Sequence, residues 1–199
     1  MIGTAPRRIQ TERLVLRCWE PDDAEALLEA INVSLEHLRT WMPWAAFEPT
    51  TLGEKRELLS TFRDAFHDGS NFVYGIFDPD ERVVLGGTGL HARGGPDELE
   101  IGYWIRADAT RRGYATEVTA VLTRIVIEHV GLARAVVKVD PLNEPSLGVP
   151  RKLGYAEAGP FPSLLEPLPG EIERRPGVVF TLTRAQLRSS PVDAYPYHC

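Results

Sequence analysis

Arg111-Arg112-Gly113-Tyr114-Ala115-Thr116-Glu117 has the composition of an anion-binding turn. Two arginines stand beside a glycine and a small alanine. Val118, Val121, Leu122, Ile125 and Val126 then recur at helical spacing until Gly131, a helix stop signal. Before the turn, Glu98 to Arg106 alternates as a strand, with Leu99, Ile101, Tyr103 and Ile105 on one face and Glu98, Glu100, Gly102 and Trp104 on the other. A strand therefore runs into the N-terminus of a long helix. The first amides of such a helix have no intrahelical partner, a glycine permits close approach, and the arginines add positive charge. The ligand implied is a pyrophosphate, contacted by Arg111, Arg112, Gly113, Tyr114, Ala115 and Thr116.

The turn fits neither the dinucleotide pattern G-x-G-x-x-G nor the P-loop pattern G-x-x-x-x-G-K-[ST]. It resembles motif A of the GNAT superfamily of acyl-CoA-dependent N-acetyltransferases, [QR]-x-x-G-x-[GA], aligned on Thr110 to Ala115, with Thr110 departing from the first position. A second segment, Val136 to Tyr155, reads as a strand, then Asn143 at a helix N-cap, then a short helix closed by Gly154. Its Asn143-Glu144-Pro145-Ser146 and Lys152-Leu153-Gly154-Tyr155 are similar to motif B of that family, whose strand carries the pantetheine arm. Ser34 to Trp44 and Glu100-Ile101-Gly102-Tyr103-Trp104 look like the RimJ/RimL branch, and the resemblance covers roughly residues 10 to 184.

The resemblance implies an α+β (mixed α/β) fold. A central, mostly antiparallel twisted sheet is flanked by helices and splays between the strand at Glu98 to Arg106 and the strand at Ala135 to Val139. Acetyl-CoA lies in the splay as cosubstrate, and no metal is involved. Acetyl transfer to an amine needs a neutral amine, a stabilised oxyanion and a proton for the departing thiolate. An α-amine has a reference pKa of roughly 7.7–8.0, so a base removes its proton at modest cost. Glu100 is the candidate base by its offset from Gly113, with Glu98 on the same face as its substitute. His91 is the other candidate, its ordinary near-neutral pKa suiting a proton relay.

The tyrosine that the family commonly uses as general acid is replaced here by Pro150. The RimJ/RimL resemblance moves that role to Ser146, while Asn143 caps its helix or bonds the pantetheine. Backbone amides near Ile105 would polarise the thioester carbonyl. Neither Cys18 nor Cys199 is placed to carry an acyl group, so direct attack in a ternary complex is expected. Trp41 and Trp44, with Phe47, fall where the family builds its acceptor pocket. Structural readings stand beside these: Glu100 as an ion-pair partner, Ser146 as a first-turn helix serine, the tryptophans as core.

The function expected is an acyltransferase acting on a protein or peptide N-terminal α-amine. Its alternatives are the same chemistry on a small amine, such as an antibiotic or metabolite, and a catalytically inactive acyl-CoA-binding module, favoured by Thr110 and Pro150. A homodimer is compatible with all three.

The elements that must position these residues form one expected domain, residues 1–188, with 189–199 as a loose, proline-containing C-terminal tail. Arg13 to Trp19 reads as a strand, and Glu20-Pro21-Asp22-Asp23 opens a helix from Ala24 to Ile31. Pro43 breaks any helix near Trp41, and another helix is predicted from about Leu52 to His67. Phe72 to Phe77 and Arg82 to His91 read as a hairpin, and the last strands fall near Tyr155 to Ala158 and Gly177 to Leu182. Hydrophobic residues make up 43% and charged residues 25% of the 199, ordinary for a globular chain. The net charge of −6 argues against a nonspecific nucleic-acid binder. No segment reaches the ~20 apolar residues of a membrane span. Two cysteines without zinc or disulfide spacing suit a reducing cytoplasm.

Overall fold

Alternation of short strands and amphipathic helices builds one open sheet between two helical layers. The computed structural model describes residues 4–162 and 176–199. Its strands are β1 (Arg8–Thr11), β2 (Val15–Cys18), β3 (Phe72–Phe77), β4 (Val84–His91), β5 (Glu98–Ile105), β6 (Arg134–Val139), β7 (Ala156–Phe161), β8 (Gly177–Thr183) and β9 (Tyr197–His198). They pair in the order β7-β8-β6-β5-β4-β3-β2-β1-β9. All neighbours are antiparallel except β5 and β6, which are parallel.

The helices are α1 (Ala24–Trp41), α2 (Leu52–Asp68), α3 (Tyr114–Arg124), α4 (Glu144–Lys152) and the short α5 (Arg184–Leu187). Helix α2 opens on a capping box between Thr51 and Glu54. Helix α1 runs well past Ile31, because Leu35 and Leu38 continue its apolar stripe until the chain reaches Pro43. That stripe packs with Leu59 of α2 on Val15, Phe77 and Val84, one face of the sheet. On the other face α3 meets Leu90, Leu99, Ile101, Val137 and Val139. Every α3 residue from Thr116 to Thr123 is buried, so this helix is enclosed on all sides. Past Arg124 it widens into a π-helical stretch, Ile125–His129, which the periodicity did not foretell.

Two further elements differ from expectation. Strand β1 joins the sheet edge, and residues 189–199 are docked rather than loose. Val192 is completely buried in the core, Pro191-Val192-Asp193-Ala194 forms a 3-10 turn, and β9 adds itself to β1. The Arg124 guanidinium stacks on Tyr197 at 4.8 Å. Proline content hid a segment that gains its order from one buried valine and a strand edge.

Candidate functional site

The site grows from the place where two parallel strands part. Strands β5 and β6 pair only at Glu98–Arg134, Leu99–Ala135 and Glu100–Val136. Beyond Glu100, β5 runs on to Ile105 and β6 to Val139 without facing each other, which opens a gap at their C-terminal ends. The Arg106 amide donates to Leu85 O on β4 at 2.8 Å. Amide directions alternate along a strand, so the Ile105 N–H points away from β4 and into the gap. This is the orientation an oxyanion donor requires.

Just past the gap, the chain turns into α3 with Arg111 at φ 60° and Gly113 at φ 83°. Two left-handed residues in three put glycine where a side chain would be strained. Arg111, Arg112 and Gly113 are exposed, Tyr114 and Ala115 half-buried, and Thr116 buried. The first turn of α3 therefore begins beside two exposed cationic side chains. Arg112 spends part of its hydrogen-bonding on Asp108 O, 3.0 Å away.

Across the gap, Asn143 caps α4 as expected: its Oδ1 accepts from the Ser146 amide at 3.2 Å. The Tyr103 hydroxyl donates to the Ser146 carbonyl at 3.4 Å, which ties α4 to β5. Burial pushes the Tyr103 phenol up to about 12. The Ser146 backbone is held at both ends, while its hydroxyl enters neither contact and is half-buried. Pro150 is buried inside α4, so the position of the missing tyrosine is filled by packing.

On the sheet face covered by α1 and α2, β4 and β5 set His91 opposite Glu100 and Gly89 opposite Gly102. The imidazole occupies the space over both glycines: a Cβ at Gly89 would meet His91 Nε2 at 2.8 Å, and one at Gly102 would meet it at 3.4 Å. Nδ1 lies 2.9 Å from Asn71 Oδ1. Because that oxygen only accepts, Nδ1 carries the proton and Nε2 keeps its lone pair toward Gly102. Burial lowers the His91 pKa to about 4, with Arg93 lowering it further and Glu100 opposing both. The near-neutral pKa expected for this residue is thereby corrected: desolvation keeps the ring uncharged at neutral pH.

Glu100 itself is nearly buried and ion-paired. Lys138 Nζ stands 2.8 Å from Oε2, without hydrogen-bond direction, and Arg93 Nη1 is 3.4 Å from Oε1. Glu98 is committed elsewhere, with Arg134 Nε at 2.6 Å from Oε2 and the Gly95 amide donating to Oε1 at 3.1 Å. Further along the same face lies Trp104, whose ring meets Trp44 edge-on at 6.1 Å. Trp44 sits in the 3-10 turn Pro43–Phe47 after α1 and is 37% exposed, with Phe47 at 82% and Trp41 half-buried at the end of α1. Two contacts hold α1 to the end of β5. Arg106 grips Glu29 through both nitrogens at 2.7 and 2.8 Å, and the Ala107 amide donates to the buried Ser34 Oγ at 2.9 Å.

The structure thus places the turn at Gly113 on one side of β5 and Glu100, His91 and Trp44 on the other. It adds residues that no local pattern marked: Asn71, which sets the His91 tautomer, and Arg13, which pairs with Glu117 at the end of the turn segment. Their partners are 20 and 104 residues away along the chain, beyond the reach of any motif. Among the described residues no cluster of metal-ligating side chains is found, and no helix is long and apolar enough to cross a membrane.

A protein-family description, "Acetyltransferase (GNAT) domain", matches residues 13–156, and the chain belongs to this family. It is therefore an acyltransferase, and proteins named RimJ and RimL are among those it is similar to. It is 25% identical over 154 residues to the [ribosomal protein uS5]-alanine N-acetyltransferase of Escherichia coli (strain K12), covering 76% of this chain and 79% of that one. Its fold matches that of Mycobacterium smegmatis RimJ in complex with CoA-disulfide, with a TM-score of 0.79 at 23% identity over 97% of this chain and 95% of that one. The RimL ribosomal L7/L12 alpha-N-protein acetyltransferase in complex with coenzyme A matches with a TM-score of 0.75 at 19% identity over 86% and 94%.

Proposed function

We propose that the chain transfers an acetyl group from acetyl-CoA to the N-terminal α-amine of a protein or peptide, by direct attack in a ternary complex. The observation that carries this reading is the β5–β6 gap, which joins an exposed anion turn to a face bearing a carboxylate, an uncharged imidazole and exposed aromatic rings. Residues suited to acetyl-CoA are present. Gly113 stands where a side chain would obstruct the helix amides, Arg111, Arg112, Tyr114, Ala115 and Thr116 line the same turn, and Asn143 borders the gap.

The Ile105 amide polarises the thioester carbonyl, and the acceptor's ammonium must lose a proton before its lone pair can attack. Glu100 takes that proton, with His91 Nε2 beside it as a relay. A ring with a pKa of about 4 passes a proton on rather than holding it. The Ser146 hydroxyl protonates the departing thiolate. Trp41 and Trp44 hold the acceptor across the face from Glu100. A peptide end suits exposed aromatic surface, which gives broad contact at low entropic cost. The names of the relatives, which concern ribosomal proteins, point the same way. The reducing cytoplasm suits the two unpaired cysteines, one buried and one exposed.

The test is release of CoA from acetyl-CoA with peptides beginning in Ala, Ser or Met, against a panel of small amines. Turnover confined to peptides supports the proposal. Turnover confined to small amines overturns the acceptor, and CoA binding without turnover on either panel overturns catalysis.

A further inference from the structure

Arg13 lies in the loop between β1 and β2 and belongs to neither motif. Its Nη1 donates to the carbonyl of Arg112 at 2.8 Å, while Nε and Nη2 reach Glu117 Oε2 at 2.8 and 2.6 Å. The guanidinium carbon stands 5.0 Å from the centre of the Tyr114 ring. One side chain therefore grips the residue before Gly113, the residue after it, and the first turn of α3. A Cβ at Gly113 would come within 3.4 Å of Arg13 Nη2, so the guanidinium lies against the turn itself.

Glu117 gives the arrangement its electrostatic meaning. Its side chain is 4% exposed, and its Oε1 accepts from Thr11 Oγ1 at 2.6 Å and from the Arg13 amide at 3.3 Å. A carboxylate in the first helical turn is favoured by the helix dipole. Unpaired, it would repel an anion arriving at the same terminus, and its burial would be costly. Arg13 neutralises that charge while fixing the backbone through Arg112.

We propose that Arg13 is a positioning residue for the cosubstrate: its clamp on Arg112 and Glu117 holds the Gly113 turn in its anion-binding shape and cancels the carboxylate buried within it. This rests on the reading of the turn as the diphosphate site of coenzyme A. Arg13 acts through the turn and needs no contact with the ligand.

The experiment measures the binding of CoA and of pantetheine, which shares the thiol arm and lacks the diphosphate, to the full chain. Arg13→Gln is expected to weaken CoA by about tenfold or more and to leave pantetheine unchanged. Arg13→Lys, which keeps the charge and loses the fork, should fold and show a smaller loss of CoA binding. Adding Glu117→Gln to Arg13→Gln should recover part of the loss by removing the uncompensated carboxylate. Unchanged CoA affinity in folded Arg13→Lys and Arg13→Gln overturns the proposal. Equal weakening of CoA and pantetheine overturns it too, since that is the signature of general destabilisation. Failure of the wild-type chain to bind CoA overturns the diphosphate reading, and the proposal with it.

Discussion

The two sides of β5 are built on different principles. On the side of α3, the site is backbone: left-handed Gly113, the free amides of a helix enclosed from Thr116 to Thr123, and the Ile105 N–H facing the gap. Its shape is clamped by Arg13 and Glu117. On the side of α1, the site is side chains: Glu100 between Lys138 and Arg93, His91 over two glycines, and Trp44 edge-on to Trp104. A diphosphate and a pantetheine arm are the same in every turnover and can be met by fixed amides. An acceptor's shape varies, and the aromatic end of its face is left partly open, with Phe47 at 82% exposure. The difference predicts that substitutions on the first side act on the cosubstrate's affinity, and those on the second on turnover or on the acceptor.

The largest effect is expected where both sides meet the reacting atoms. Glu100→Gln and Ser146→Ala should each lower turnover by something like ~10²–10⁴, leaving acetyl-CoA affinity nearly intact. The Glu100→Gln loss should shrink at high pH, where the amine is already neutral. Full-rate turnover of Glu100→Gln at pH 7 would remove the carboxylate from the mechanism. A lowered melting temperature with normal turnover in Ser146→Ala would reduce that serine to a helix residue.

Next in size, Gly113→Asp should weaken CoA by about 100-fold. It combines the strain of a left-handed non-glycine residue, ~1–2 kcal/mol, with a negative charge at the helix terminus. Calorimetry checks it, and unchanged affinity would break the backbone half of the comparison. Trp44→Ala should raise the acceptor's Michaelis constant about tenfold and leave that of acetyl-CoA unmoved. Because Trp44 is 37% exposed, its loss should cost far less stability than the ~3–5 kcal/mol of a core tryptophan. A large drop in melting temperature with unchanged kinetics would make the ring core after all.

The same division decides what the sequence reveals. The turn at Gly113 and the Asn143 cap are local: each needs a few consecutive residues in one conformation, and the helices they open start where the spacing places them. The strands β3 to β6 are long enough for alternation to show, with ends shifted by no more than two residues. By contrast, β1 has four residues and β9 two, and each is ordered by its neighbours rather than by its own pattern. The Arg13–Glu117 clamp and the Asn71–His91 bond join residues far apart in the chain, and nothing in either local sequence announces a partner. His91 was legible as a titratable residue, but its pKa belongs to its burial, which only the packed sheet supplies.

The smallest expected effect tests that last point. His91 is held neutral by desolvation and Arg93 against the opposing pull of Glu100, with a folded pKa of about 4. In the unfolded chain a histidine titrates near ~6.5. Below that value the unfolded chain takes up a proton that the folded chain refuses until about 4, so stability falls as pH drops through this window. Between pH 6.5 and 5.5 the loss from this one residue is about 1 kcal/mol, after a smaller loss of about 0.4 kcal/mol between pH 7.5 and 6.5. Denaturant titrations at pH 7.5, 6.5 and 5.5 should therefore show a decline in the wild-type chain that is shallower by that amount in His91→Gln. Identical declines would mean that the imidazole accepts a proton inside the fold, which would turn the relay assigned to it into a base and shift the proton-accepting role from Glu100 toward the ring.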